Sequence, residues 1–335
     1  MDLGKQTILF ISPAFFGYEI SIKNAIIENG YNVDFFDERT SNNSFLKAVF
    51  RTKKNLLKGL INRYYKGIAK KTKRKKYDFF LLIKGEVVPE WFILEFKKEN
   101  PNAKLIYYTY DSFKNNNSNS IYLLKHFHSC FSFDFEDVKN NSSLKLKHLF
   151  YTKEFLNNLN SATSIKKYAI SFVGTLHSNR YVTIKNLFSK FDNTFIFYYL
   201  PAKWLFVWDK LSKRTFKNTK WSEVSFNKLS KQQVADIFKS SKSVLDIQRF
   251  GQTGLTMRTF EVLAVGAVLI TTNPYIRNAD FYNPDNIIVL EDINSPLNVA
   301  VIKNKIDIIN LNTNLMVNNQ IEKFFINNWV KEFFE

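Results

Sequence analysis

The chain has 335 residues, of which 45% are hydrophobic, and this length suits two domains of about 150 residues each. A single cysteine, Cys130, excludes an internal disulfide framework and is typical of a reducing compartment. Four scattered histidines show no metal-ligand spacing, so we expect no metal site. The N-terminus begins with a strand-like run rather than a signal peptide, and no run of 18 apolar residues predicts a transmembrane helix.

The net charge of +18 is concentrated in one segment. Residues 47–76 contain 13 Lys or Arg and no acid, whereas the rest of the chain has 35 basic and 30 acidic residues. Apolar residues recur there every three or four positions, which predicts basic amphipathic helices over 45–76. Three interpretations stay open: a solvated helix face packed on the core, attraction to an anionic membrane, or nucleic-acid binding. The last is the least favoured because the segment lacks a nucleic-acid reader motif.

Strand and helix patterns alternate through the first half of the chain. Predicted helices cover 18–29 and start near Pro89. Predicted strands lie at 6–12, 31–36, 77–84, 103–109, 129–133 and 147–151. This alternation predicts a parallel sheet covered on both faces, in an N-terminal domain over 1–157.

The second half restarts the pattern after a polar stretch, 158–166, that we interpret as a linker. A second α/β domain is predicted over 167–312, with a strand at 167–174 and a helix at 202–211. Residues 313–335 carry an amphipathic helix pattern at 318–334. The fold class is therefore α/β with two Rossmann-like parallel-sheet domains.

The most informative segment is 242–274, KSVLDIQRFGQTGLTMRTFEVLAVGAVLITTNP. It predicts a strand at 243–247, a loop, a helix at 257–265 that Gly266 ends, and a strand at 267–271. Loops and helix N-termini at the carboxyl ends of parallel strands bind phosphates. Arg258 and Glu261 share one helix face, where a guanidinium suits a diphosphate and a carboxylate suits ribose hydroxyls.

This segment, with FYNPDNI, SFVGTLHSNR, IYYTYDSFKN and FSFDFED, resembles GT-B glycosyltransferases. The similarity is to bacterial capsule, O-antigen and lipopolysaccharide biosynthesis proteins related to the CgeB type. It implies two domains facing across a cleft, a last helix that returns to the first domain, and sugar transfer from a nucleotide-activated donor. It also implies a polysaccharide or lipid-linked acceptor at the inner, cytoplasmic face of the membrane, without a cofactor.

The resemblance and the loop chemistry together predict donor-binding residues in the second half. They are Gly174, Thr175, Arg180, Gln252, Thr253, Gly254, Thr256, Arg258 and Glu261. Many retaining members carry a glutamate where this chain has Thr253, so the choice between inverting and retaining transfer stays open. The sugar and the nucleotide stay open as well.

Candidate catalytic and membrane-facing residues fall in the first half. Asp111 and Glu86 stand at predicted strand ends, where either carboxylate could accept the proton of an attacking hydroxyl. The membrane or acceptor surface is predicted at Lys70, Lys71, Lys73, Arg74, Lys75 and Lys76. No metal-binding DxD motif follows a strand. The alternative to an enzyme is a non-catalytic protein that binds nucleic acid through 47–76, or one that only binds a ligand.

Overall fold

A computed structural model of the chain describes residues 4–40, 57–114, 118–156, 166–176, 180–212, 216–249, 251–311 and 319–335. The chain divides into two compact units. The first unit contains Met1–Leu149, Gly251–Leu255 and Phe324–Glu335, and the second contains Phe150–Phe250 and Thr256–Lys323. The predicted linker 158–166 and residues 45–56 of the basic segment lie almost wholly outside the described residues.

Twelve strands occur in the described residues, six in each unit. In chain order they are β1 Thr7–Ser12, β2 Asn32–Asp37, β3 Phe79–Ile83, β4 Lys104–Thr109, β5 Ser129–Ser132, β6 Leu144–Leu146, β7 Tyr168–Thr175, β8 Thr194–Tyr199, β9 Val224–Ser225, β10 Ser241–Asp246, β11 Val268–Thr271 and β12 Ile287–Val289.

Helices of the described residues connect and cover these strands. In chain order they are α1 Tyr18–Glu28, α2 Lys58–Thr72, α3 Glu90–Glu99, α4 Phe135–Asn140, α5 Arg180–Phe188, α6 Lys203–Ser212, α7 Lys231–Lys239, α8 Met257–Ala264, α9 Leu297–Leu311 and α10 Ile326–Lys331. No helix of this described part is long and apolar enough to cross a membrane.

The first unit is built on a parallel six-stranded sheet with the order β2-β1-β3-β4-β5-β6. β1 and β3 are interior strands of this sheet, and their sequences TILFIS and FFLLI are almost wholly buried. Continuous apolar runs of this kind are typical of strands covered on both faces. The alternation of elements predicted from the first half is therefore confirmed.

The second unit contains its own parallel six-stranded sheet, in the order β12-β11-β10-β7-β8-β9. The predicted strand–loop–helix–strand segment appears as β10, α8 and β11. Gly266 has a φ of 71°, a left-handed conformation that ends α8 as predicted.

The last helix packs within the first unit. Trp329 of α10 is buried, donates from Nε1 to the carbonyl oxygen of His148 at 2.7 Å, and meets the ring of Tyr108 edge-on at 5.1 Å. The predicted single helix at 318–334 is divided, because a 3₁₀ turn at Asn319–Phe324 precedes α10 and Phe325 between them is extended.

The strand predicted at 147–151 is wrong in position, since the sheet ends with β6. Lys147 extends the ladder by one hydrogen bond, from its N–H to the carbonyl oxygen of Ser132 at 3.0 Å. Its ammonium group pairs with Glu332, and its Nζ lies 4.7 Å from the ring centre of Phe333, so this side chain packs against the C-terminal segment.

Candidate functional site

Each sheet has one point where the chain reverses its direction of strand addition. In the second unit this point lies between β7 and β10, because β8 and β9 extend the sheet on one side and β11 and β12 on the other. In the first unit it lies between β1 and β3. Open α/β sheets bind ligands beyond the carboxyl ends of strands at such points. Each unit therefore has one candidate ligand-binding point.

Beyond β10, several side chains meet around the carboxylate of Asp246. Thr256 donates its hydroxyl to Asp246 at 2.7 Å, and Arg180 donates to the carbonyl oxygen of Ile247 at 2.7 Å. Thr256 is the residue that precedes α8, and Arg180 begins α5. Two predicted donor residues that are 76 positions apart in the sequence thus lie at the same strand end.

Asp246 is a residue that sequence reasoning missed. Burial raises the pKa of its carboxyl, and the hydrogen bond from Thr256 and the charges of Arg258 and Arg180 oppose that shift. Burial also lowers the pKa of Arg180, with Asp246 opposing and Arg249 adding to the effect. The signal available in the sequence was an acid at the end of the apolar run VLD. Three arginines and two carboxylates, Asp246 and Glu261, therefore leave this strand end with a net positive charge.

Arg258 and Glu261, which share one face of α8 as predicted, form an ion pair. The distance from Arg258 Nη1 to Glu261 Oε2 is 3.5 Å, and the guanidinium lies 5.0 Å above the ring of Phe238. Glu261 is only 3% exposed, so it is not a surface glutamate. A carboxylate held this way is fixed in position and requires polar partners, because isolated buried charges are costly.

The loop 251–254 uses its donors inside the first unit. The backbone N–H groups of Thr253 and Gly254 donate to Asp134 Oδ2 at 2.9 and 3.1 Å, and the Thr253 hydroxyl donates to Oδ1 at 2.6 Å. Asp134 also caps α4 by accepting from the N–H groups of Glu136 and Asp137. These donors of the predicted phosphate loop are therefore occupied by a carboxylate of the protein.

Gly254 is required at its position because the loop packs closely against Phe133 within the first unit. A Cβ atom there would lie 2.5 Å from ring atoms of Phe133 and 2.8 Å from its carbonyl oxygen. Gln252 is half-buried beside it. The sequence suggested that this glycine admits a phosphate, whereas the structure places the Phe133 ring against it.

Gly174 and Thr175 lie within β7 rather than in a turn after it. They pair in register with Tyr198 and Tyr199 of β8, so the strand begins and ends one residue later than predicted. Gly174 faces the ring of Phe172, which would lie 2.7 Å from an added Cβ. Both residues still stand at the carboxyl end of the strand next to β10.

In the first unit, charged side chains are buried beyond β2, β3 and β4. Arg39 donates to Glu86 at 2.7 Å, and the Lys84 ammonium lies 3.4 Å from Glu86 and 2.5 Å from Asp111. Arg39, Lys84 and Glu86 are each at most 7% exposed, whereas the Asp111 side chain is 26% exposed. The two predicted catalytic carboxylates thus share one lysine, and only Asp111 reaches solvent.

Glu38 is the second acid that sequence reasoning missed. Its carboxylate accepts hydrogen bonds from the N–H groups of Gly85 at 3.1 Å and Val87 at 2.8 Å. Burial raises the pKa of Glu38 to about 7, with Glu86 adding to the shift and Arg39 and Lys84 opposing it. The sequence DER at 37–39 follows a predicted strand, which was the available signal.

The predicted membrane-facing residues follow the amphipathic helix α2. Its apolar residues Ile61, Tyr65 and Ile68 are buried in the core of the first unit. The six predicted cations are exposed, and Lys75 pairs with Asp34 at 2.7 Å. The described part of the basic segment therefore presents charge to solvent, with its apolar face turned inward.

Within the described residues, no group of three or more His, Cys, Asp or Glu side chains could hold a metal ion. His126 instead contacts Glu90 at 2.6 Å, and His128 accepts from the Leu105 N–H at 2.9 Å.

Comparison with known proteins identifies the same half of the chain. Residues 205–299, which include α8, match the family model described as glycosyl transferase-like. This match spans less than a third of the chain. No curated protein sequence matches this chain.

Solved structures resemble the chain over almost its whole length. HepE from Anabaena, solved with UDP and glucose, has a TM-score of 0.60 at 9% identity, covering 97% of this chain and 98% of its own. AviGT4, a glycosyltransferase involved in avilamycin A biosynthesis, has a TM-score of 0.55 at 10% identity, covering 98% and 95%. The UDP-GlcNAc 2-epimerase of Methanocaldococcus jannaschii has a TM-score of 0.53 at 12% identity, covering 98% of both chains.

At these identities the likeness concerns the fold. The α/β class with two parallel six-stranded sheets matches GT-B structures, and this prediction is confirmed. A glycosyltransferase and an epimerase are both among the matches, so the reaction must be argued from the residues.

Glu38 makes the stability of the protein depend on pH. Its folded-state pKa of about 7 lies above the ordinary value of 4.5, so between these values the folded state binds more protons than the unfolded state. This contribution to stability is complete below about pH 4.5 and is lost as pH rises through about 7. We expect the melting temperature of wild type to fall more than that of Glu38→Gln between pH 5 and pH 8. An exposed control, Asp192→Asn, should follow wild type, and parallel curves for Glu38→Gln would contradict the assignment.

Proposed function

We propose that the protein is a glycosyltransferase that moves a sugar from a nucleoside diphosphate donor to a growing bacterial surface glycan. The observation that carries this proposal is the cluster beyond β10 and at the start of α8. There Arg180, Arg258 and Thr256 surround Asp246, next to the buried Glu261. This cluster lies at the switch point of the second sheet, where such folds bind nucleotides.

The donor diphosphate is assigned to the positive charge of this cluster. Arg258 and Arg180 supply guanidinium groups, which can bind phosphate oxygens in a bidentate manner through two parallel N–H···O bonds. When the bond between the sugar and the diphosphate breaks, negative charge develops on the leaving oxygen and the arginines stabilise it. Glu261 is assigned to the ribose hydroxyls. UDP is the first nucleotide to test, because HepE, which shares the fold, was solved with UDP and with UDP-glucose.

Replacing Arg258 tests the donor site. Losing one charged hydrogen bond costs about 1.5–3 kcal/mol, so Arg258→Ala should weaken UDP binding about 10- to 100-fold by calorimetry. Glu261→Gln should also weaken UDP binding. The matched control is Arg277→Ala in the same unit, since Arg277 is exposed and pairs with Glu291 at 2.6 Å.

A thermal-shift screen with UDP, GDP, CMP and dTDP precedes this measurement. If no nucleotide stabilises the wild-type protein, or if Arg258→Ala binds as wild type does, the donor assignment is wrong. Tight, salt-sensitive binding of RNA without nucleotide binding would favour the non-catalytic alternative.

For the reaction itself, we assign the proton acceptor to Asp111. Its carboxylate is partly exposed and is held by Lys84, so it can accept the proton of an acceptor hydroxyl as that oxygen attacks the sugar. Glu86 is the weaker candidate because it is buried between Arg39 and Lys84. Its position indicates a structural part in the charge cluster.

Two variants separate these roles. Asp111→Asn should abolish sugar transfer and should lower the free energy of unfolding less than Glu86→Gln does, because Asp111 is partly exposed and the buried Lys84 keeps Glu86 as a partner. Glu86→Gln should destabilise the protein by about 3–5 kcal/mol, because it leaves two buried cations without this partner. Melting temperatures and turnover of a UDP-sugar with acceptor measure both. Full transfer activity in a folded Asp111→Asn protein would refute the assignment.

The acceptor is proposed to be lipid-linked, with the exposed cations at and after the end of α2 facing an anionic membrane surface. Each such cation contributes about 1 kcal/mol or less, and salt screens it. A variant with glutamine at Lys70, Lys71, Lys73, Arg74, Lys75 and Lys76 should therefore bind anionic vesicles more weakly than wild type in sedimentation. The same variant should keep its melting temperature, because these side chains are exposed. Undiminished vesicle binding would show that this segment is only a solvated face.

A further inference from the structure

Helix α6 exposes a row of large apolar side chains. Trp204 is 61% exposed, Val207 48%, Trp208 50% and Leu211 77%. Successive residues of an α-helix are about 100° apart, so these four positions lie on one side of α6. A contiguous exposed apolar surface of this kind is uncommon on soluble proteins and marks an interaction site.

The opposite side of α6 anchors the helix to the second unit. Phe206 is 2% exposed and belongs to the core, and Leu205 packs against the same core. Asp209 is also buried, and it accepts a hydrogen bond from the Phe216 N–H at 2.9 Å. The helix therefore has one apolar face in the core and a second apolar face in solvent.

Basic residues lie along one edge of the exposed face. Lys203 and Lys210 are exposed and lie beside it on the helix. The sequence from Lys203 to Trp221 contains six Lys or Arg, and its one acid is the buried Asp209. Exposed Trp and Leu flanked by lysines are the composition of a helix that lies in a membrane interface.

We propose that α6 binds the surface of an anionic lipid bilayer. Trp204, Val207, Trp208 and Leu211 insert at the boundary between headgroups and acyl chains, where indole rings are favoured because one edge is polar. Lys203 and Lys210 extend to the anionic headgroups while their aliphatic stems stay on the apolar surface. This surface is distinct from the cations at and after the end of α2, which present charge with no comparable apolar row.

Charge favours a bilayer over a second copy of the chain as the occupant. Two copies joined through this face would bring the lysines beside each α6 together, and like charges at an interface oppose association. An anionic membrane both neutralises these lysines and covers the apolar side chains. The inference shares the membrane location of the proposed function, but neither its residues nor its readout depends on sugar transfer.

Vesicle sedimentation of the full chain tests the proposal. The probes are vesicles of phosphatidylcholine alone and of phosphatidylcholine mixed with phosphatidylglycerol. We expect wild type to bind the anionic vesicles, and Trp204→Ser combined with Leu211→Ser to lower the partition coefficient on the order of tenfold or more. The matched control is Leu297→Ser combined with Val301→Ser, since these residues on α9 are 73% and 47% exposed. This control should bind as wild type does.

A fluorescence experiment adds a readout specific to insertion. Wild-type tryptophan emission should shift to shorter wavelength on anionic vesicles. A variant with Trp204→Phe and Trp208→Phe should keep most of the binding, because the face stays apolar, and should lose most of the shift.

Three results would overturn the proposal. The first is that wild type does not bind anionic vesicles, and the second is that the α6 and α9 variants lose equal amounts of vesicle binding. The third is that wild type is a dimer in sedimentation equilibrium and the α6 variant is a monomer, while both bind vesicles equally. The last result would assign the face to a second copy. Unchanged melting temperatures of the serine variants exclude unfolding as the cause of any loss.

Discussion

The carboxylate of Asp134 joins segments of the first unit that are 119 residues apart in the sequence. It accepts hydrogen bonds from two sets of donors: the backbone N–H groups in the first turn of α4, and the donors of Thr253 and Gly254. Because the carboxylate is 1% exposed, it depends on these donors to offset the cost of burying its charge. The loop continues along the chain into Thr256 and α8.

Charge at the carboxyl ends of parallel strands is the second organising feature. In the first unit, acids and bases alternate in space, with Lys84 between Glu86 and Asp111 and with Arg39 on the far side of Glu86. In the second unit, the three arginines outnumber the two carboxylates of Asp246 and Glu261. The first arrangement is largely self-compensated, whereas the second has positive charge left to stabilise a ligand. That difference is the reason to assign the anionic donor to the second sheet and proton transfer to the first.

Helices α2 and α6 show how one sequence pattern leads to opposite surfaces. Both have apolar residues at three- and four-residue spacing with lysines nearby. The apolar face of α2 is buried in the core of the first unit, whereas α6 buries Phe206 and leaves Trp204 and Leu211 exposed to solvent. Hydrophobic periodicity identifies an amphipathic helix, but it does not tell which apolar residues meet the core when a helix has two apolar sides.

The sequence by itself determined the features that depend on neighbours along the chain. Strand and helix alternation, the extent of α8, its end at Gly266 and the GT-B class follow from local periodicity, turn chemistry and motif resemblance. Only the tertiary structure decided which polar groups are already satisfied. The hydrogen-bond donors of Thr253 bind the carboxylate of Asp134. Glu86 is buried between two cations, and Asp246 lies in the candidate donor site, where it accepts from Thr256. The physical reason is that hydrogen bonding, desolvation and charge pairing depend on atoms brought together from distant positions, which spacing along the chain does not encode.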